Sequence, residues 1–119
     1  MKTPPQTSLR QIKRGEIWWI RLDPIQGHEI KKTRPCVVLT DDIINELRKT
    51  VVVVPLSSSA QPHPPITVSI LCQNKTAVAV IDQIRSVTKQ RLISKIETAS
   101  RADLQKIIEA LSSILQIAR

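Results

Sequence analysis

The chain predicts a small, mainly β (α+β) domain: a strongly curved antiparallel sheet or barrel with short helical turns and a C-terminal amphipathic helix. Three observations carry that prediction. Short segments rich in β-branched and other apolar residues recur at 17–22, 35–39, 51–56, 66–71 and 77–81, each bounded by Pro, Asp, Asn or Ser. From Ser100 onward the pattern changes, and Leu104, Ile107, Ile108, Leu111, Ile114 and Leu115 follow a 3.6-residue period. The length, 119 residues, is enough for one core and not for two.

Taken in order, residues 1–13 read as a flexible, polar, Pro-containing leader, and 14–119 as the single domain. Residues 17–22 form the first strand. Its adjacent Trp18 and Trp19 point to opposite faces, so one of them must lie at a rim or an interface. Asp23-Pro24 ends that strand and Gly27 suits a turn, so 15–40 reads as a hairpin with a charged loop. Thr40-Asp41-Asp42 offers N-cap oxygens for a helical turn through Ile43, Ile44 and Leu47. The unbroken apolar run 51–56 predicts a strand buried on both faces. A Pro-rich loop with His63 follows, then two strands joined by a Gln73-Asn74-Lys75 turn. Asp82-Gln83-Ile84-Arg85 is expected to continue the sheet, with Asp82 and Gln83 on opposite faces, and 88–92 to make one helical turn. Ser100 with Asp103 matches a capping box with Asp in the place of Glu.

Eighteen Lys and Arg against ten Asp and Glu leave a formal charge of +8. Residues 1–35 hold eight of those bases and only three acids, so the excess gathers around the first hairpin and suits a polyanionic partner there. With two Trp and no Phe or Tyr, stacking on bases cannot supply the affinity, and phosphate contacts must. Cys36 and Cys72 sit inside apolar segments and read as reduced core residues of a cytoplasmic protein. No Cys/His cluster suggests a metal site, and no apolar run has membrane-spanning length. Neither a cofactor nor a metal is expected.

Gly15-Glu16-Ile17-Trp18, Asp23-Pro24, Gly27-His28-Glu29, Thr33-Arg34-Pro35 and Val37-Val38-Leu39 come in this order, followed by Val54-Pro55-Leu56-Ser57-Ser58, Asp82-Gln83-Ile84-Arg85 and Lys89-Gln90-Arg91-Leu92. Over residues 14 to 117 the chain resembles the MazF/PemK family of toxin endoribonucleases. The resemblance implies an SH3-like barrel, a homodimer, and metal-independent, sequence-selective cleavage of single-stranded RNA. It also implies a cognate antitoxin that blocks the site, with DNA reached only through the antitoxin complex.

Arg34 precedes a proline that holds it extended, and a guanidinium there can grip two phosphate oxygens. Alone it reads as a strand-edge arginine; matched to the family it is catalytic, by electrostatic stabilisation of the reacting phosphate. Ser57 matches the family's catalytic Thr or Ser, while its own sequence context equally suits a hydroxyl that closes a turn, and Ser58 stands beside it. His28 is either a general base or a loop anchor paired with Glu29. Lys31, Lys32, Thr33, Glu29, Ser58, Gln83 and Arg85 are the candidate RNA contacts, with Gln83 suited to a base edge and the lysines to phosphates. Asp82 is a candidate support residue. The PemK branch places an arginine two residues before that acid, and here Val80 occupies the position. Two other readings use a similar fold: a CcdB-like poison that binds gyrase, and a non-catalytic RNA-binding barrel.

Overall fold

Residues 51–56 are apolar at every position because both faces of their strand are covered. The computed structural model describes residues 11–22 and 32–117. Its elements are β1 (Glu16–Leu22), β2 (Lys32–Val38), α1 (Asp42–Leu47), β3 (Thr50–Ser57), β4 (Thr67–Cys72), β5 (Lys75–Val80), β6 (Arg85–Thr88), β7 (Leu92–Thr98) and α2 (Arg101–Leu115). The strands form one antiparallel sheet in the order β4-β5-β3-β2-β1-β7, with β6 also paired to β3. It curves around the buried layer that holds Trp18 and Val53, and among the described residues it is not hydrogen-bonded into a closed ring.

Alternation along β3 divides the interior into two layers. Val54 and Leu56 join Ile17, Val37, Val68, Ala79 and Ile81 beneath α2, which inserts Ile107 and Ala110. Val51 and Val53 face the other way and meet Trp18, Ile20, Cys36, Val38, Val87 and Leu92 in the concave interior. The helix covers one layer and the curl of the sheet covers the other. Trp18 belongs to the concave layer and is buried, whereas Trp19 is 37% exposed.

The end of the segment read as a leader packs on the domain. Ile12 is buried, and its carbonyl accepts from Asn45 Nδ2 (3.2 Å). Lys13 N–H donates to Glu16 Oε1 (2.9 Å), which also accepts from the Trp18 indole (2.9 Å), while Lys95 pairs with Glu16 Oε2 (3.1 Å). Gly15 takes φ +92°, a left-handed conformation that side chains disfavour, as its N–H reaches Val38 O (2.7 Å).

The helix caps follow the sequence with one change. Asp41 Oδ2 accepts from Ile43 N–H (2.9 Å), and Ser100 Oγ accepts from Asp103 N–H (3.0 Å). The Asp103 carboxylate does not return to Ser100. It accepts from Leu71 N–H (2.9 Å), on the free edge of β4. Lys106 Nζ donates to Ser69 O on the same edge, so α2 covers an edge that would otherwise be open to pairing. In α1 the buried residue is Asn45, and Ile43, Ile44 and Leu47 are exposed.

One expectation needs correction, and one strand is absent from the sequence reading. Asp82-Gln83-Ile84-Arg85 does not continue the sheet: Ile81–Gln83 is a 3-10 turn, and the strand resumes only at Arg85. Ile81 is fully buried and turns the backbone out of plane, so the strand alternation assigned to Asp82 and Gln83 does not hold. The strand β7 went unread, because its register against β1 shifts twice and its burial does not alternate. The expected helical turn at 88–92 is the 3-10 turn Lys89–Arg91.

Candidate active site

β2 and β3 part company at the residues the chemistry requires. Their ladder runs Val38↔Val53, Val37↔Val54, Cys36↔Pro55 and stops there. The same register carried two pairs further would set Arg34 opposite Ser57. Instead β3 leaves β2 and pairs with β5 through Leu56↔Ala79 and Ser57↔Val78. A mouth opens between the two strands, with Arg34 on one lip and Ser57 on the other.

Directly paired residues of an antiparallel ladder share a face. Arg34 pairs with Ile20 and Cys36 with Trp18, so Arg34 rises from the concave layer. Ser57 follows Val53 and Pro55 on the same face of β3. Arg85 pairs with Val53 and, like Val87, belongs to that face as well. These three side chains therefore stand on one face of β2, β3 and β6, the face whose buried layer holds Cys36 as its floor.

Arg34 is half-buried and Arg85 exposed, and among the described residues neither guanidinium has a carboxylate partner. Cys36 is fully buried, with Sγ 3.7 Å from the Arg34 carbonyl. Burial pushes its thiol up to about 12, while the nearby charges of Arg85 and Arg34 pull the other way. At neutral pH the floor is thus an uncharged thiol that offers the two arginines no counter-charge.

Ser57 Oγ accepts from the backbone N–H groups of Ser59 (3.2 Å) and Ala60 (3.1 Å), with Ser59 Oγ 3.5 Å away. The turn-closing role is real, and it commits the acceptor side of the hydroxyl. Its proton remains able to donate to an incoming oxygen. Ser58 lies past the end of the strand, and the turn's hydrogen bonds do not use its hydroxyl.

The other candidates divide. Gln83 and Asp82 are exposed on the 3-10 turn that leads into Arg85, beside the mouth. Lys32 and Thr33 are exposed opposite Leu22 and Arg21, and Thr33 lies on the face away from Arg34. His28, Glu29 and Lys31 lie outside the described residues. Two features were missed from sequence. Cys36 underlies the site, a position signalled only by its being two residues from Arg34 on one strand. Arg91 braces the rim by donating from Nη1 to Arg21 O (3.2 Å). Among the described residues no three His, Cys, Asp or Glu side chains gather closely enough to hold a metal.

A small curved barrel whose mouth presents paired cations and a hydroxyl is built to hold an anion. Comparison with known proteins makes the assignment specific. Residues 13–115 match the model of the PemK-like, MazF-like toxin of type II toxin-antitoxin systems, and the chain belongs to that family. It is 34% identical to endoribonuclease MazF9 of Mycobacterium tuberculosis over 116 residues, covering 89% of this chain and 98% of the relative. It is 30% identical to endoribonuclease EndoA of Bacillus subtilis, covering 89% and 96%. Among solved structures, a MazE-MazF complex from Deinococcus radiodurans superposes with a TM-score of 0.79 at 23% identity, over 92% of this chain and 99% of that one. A mycobacterial endoribonuclease in complex with its cognate antitoxin gives 0.76 at 21%, over 91% and 98%.

Proposed function

We propose that this chain is the toxin of a type II pair: an endoribonuclease that cuts single-stranded messenger RNA at short preferred sequences and so stops translation and growth. The observation that carries the reading is the meeting of Arg34 and Ser57 at one mouth, in a chain of the family whose members include MazF9 and EndoA. The toxin acts in the cytoplasm as a homodimer, and a cognate antitoxin covers the mouth until it is released. Among the described residues no helix is long and apolar enough to cross a membrane.

The chemistry needs no cofactor. The ribose 2′-oxygen attacks the adjacent phosphorus, its proton passing to a base, for which His28 is the candidate. The bond from phosphorus to the 5′-oxygen breaks as that oxygen takes up a proton. The products are a 2′,3′-cyclic phosphate, or the 3′-phosphate formed from it, and a 5′-hydroxyl. The Arg34 guanidinium stabilises the non-bridging oxygens, while the Ser57 hydroxyl can turn its proton from Ser59 Oγ to donate to one of them. Lys31 and Lys32 hold flanking phosphates, and Gln83 contacts a base edge; Arg85, Thr33, Glu29 and Ser58 complete the RNA contacts, with Asp82 supporting the turn.

Incubating the purified protein with a long RNA in EDTA tests the reading. Discrete cuts that persist in chelator are expected. Arg34→Ala should lower the rate by roughly 10²–10³, the weight of one oxyanion donor. Cleavage that needs added magnesium, or full activity in Arg34→Ala, refutes the mechanism. Intact RNA together with inhibited gyrase would show a gyrase poison instead.

A further inference from the structure

We propose that Arg85 is a second catalytic guanidinium: with Arg34 it grips the scissile phosphate across Cys36, and the pair is matched to the charge that phosphate gains during reaction. The inference rests on the proposed ribonuclease activity and adds to it. Arg85 then does more than hold the strand, because it touches the reacting group.

Placement comes first. β5 enters the turn with Val78 opposite Ser57, on the concave face, so its even-numbered residues belong to that face. An uninterrupted strand would carry Arg85 to the opposite face, toward α2. The 3-10 turn Ile81–Gln83 reverses the parity, and Arg85 emerges opposite Val53, on the face of Arg34 and Ser57. Buried Ile81 anchors the reversal from the helix side.

Charge comes second. Arg34, two residues from Cys36 on β2, and Arg85, on the same face from β6, both pull the Cys36 thiol down against its burial. Two cations held on one mouth repel, and nothing among the described residues offsets them. Asp82, the acid nearest to Arg85 in sequence, is exposed on the turn and forms no ion pair with it. Such a pair is at its lowest energy with an anion between its members.

Reaction chemistry comes third. A phosphodiester carries one negative charge. When the 2′-oxygen has bonded to phosphorus and before the 5′-oxygen has left, the group approaches two. One arginine balances the substrate, whereas two balance the transition state better than the substrate, which is the condition for raising rate and not merely affinity.

The test separates rate from binding. Cut sites are mapped by sequencing with the wild-type protein, and one site is made as a short RNA and as the same RNA with a 2′-deoxy nucleotide at the cleavage position. Single-turnover cleavage at saturating RNA is compared for wild type, Arg85→Lys and Arg85→Ala, and affinity is measured on the deoxy RNA. Arg85→Ala should lower the saturated rate by roughly 10²-fold or more. Its affinity for the deoxy RNA should fall by about tenfold, the weight of one charged contact. Arg85→Lys should keep that affinity and regain only part of the rate, since an ammonium lacks the two-pronged grip. A wild-type saturated rate in Arg85→Ala, with only affinity lost, overturns the proposal and leaves the ribonuclease reading standing. Should Arg85→Ala fail to fold, Arg85→Lys decides alone, and an unchanged rate refutes. A wild-type protein that leaves every RNA intact removes the function and this inference together.

Discussion

Removing the Glu16 carboxylate should destabilise the fold at the start of β1, and the magnitude follows from its partners. Glu16 is buried, and Oε1 accepts from both the Lys13 N–H and the Trp18 indole N–H at 2.9 Å. Oε2 meets Lys95, whose side chain is 44% exposed. Water screens that ion pair, so it contributes about 1 kcal/mol at most. Glu16→Ala also withdraws the shared acceptor of two N–H groups in a largely dry site, and each costs about 1–3 kcal/mol. The expected loss is about 4 kcal/mol, or roughly 15 °C in Tm for a domain of this size. Glu16→Gln keeps a carbonyl oxygen for the two N–H groups and loses mainly the charge, so it should cost about 1 kcal/mol. Urea unfolding followed by Trp fluorescence, at one protein concentration, measures both. If the two variants unfold at the same urea concentration, the hydrogen bonds contribute nothing beyond the charge and the reasoning fails.

Replacing Lys31 and Lys32 together with Ala should flatten the slope of log affinity against log salt by roughly 1.4, the single-strand value for two phosphate contacts. The cleavage motif should stay the same, and a changed motif with an unchanged slope would show that the loop reads bases. In the folded protein, a thiol reagent at pH 8 should modify Cys72 well before Cys36, because Cys36 is fully buried and its thiol is held up to about 12. The folded state keeps that proton where the unfolded chain, titrating near 9.0, has lost it, so stability should fall as pH rises from 9 toward 12. Light scattering at micromolar concentration should give the mass of a dimer; a monomer would leave exposed Trp19, Ile93 and Leu115 without the expected partner surface.

The elements that sequence reveals well are those whose burial is set by a single period. The terminal helix is legible because Leu104, Ile107, Ile108 and Leu111 fall on one stripe against a sheet. The strand β3 is legible as doubly buried because both of its faces are apolar without interruption. The first hairpin is legible because Arg34-Pro35 and the Asp23-Pro24 stop bracket a charged loop. The apolar Ile43, Ile44 and Leu47 mislead about α1, where Asn45 is buried instead, its amide tying Ile12 O and Thr40 O together. Position in the chain cannot convey that, since the tie joins residues 33 apart.

The site is less legible for a related reason. Each of its members is ordinary in its own segment, and what makes them a site is pairing between segments. Ser57 faces Arg34 only because β2 and β3 share a register up to Cys36↔Pro55 and then diverge. Arg85 reaches the same face only because three residues of 3-10 turn replace a continuous strand. Alternation carried from β5 through 82–85 sends Arg85 to the wrong face, and the physical cause lies at Ile81, buried among Ala79, Leu56 and the helix. A core residue thus selects which cation the mouth receives. Packing of one layer and charge in the other are set by the same turn, so a substitution at Ile81 should act on the chemistry through the backbone and not through any contact with RNA.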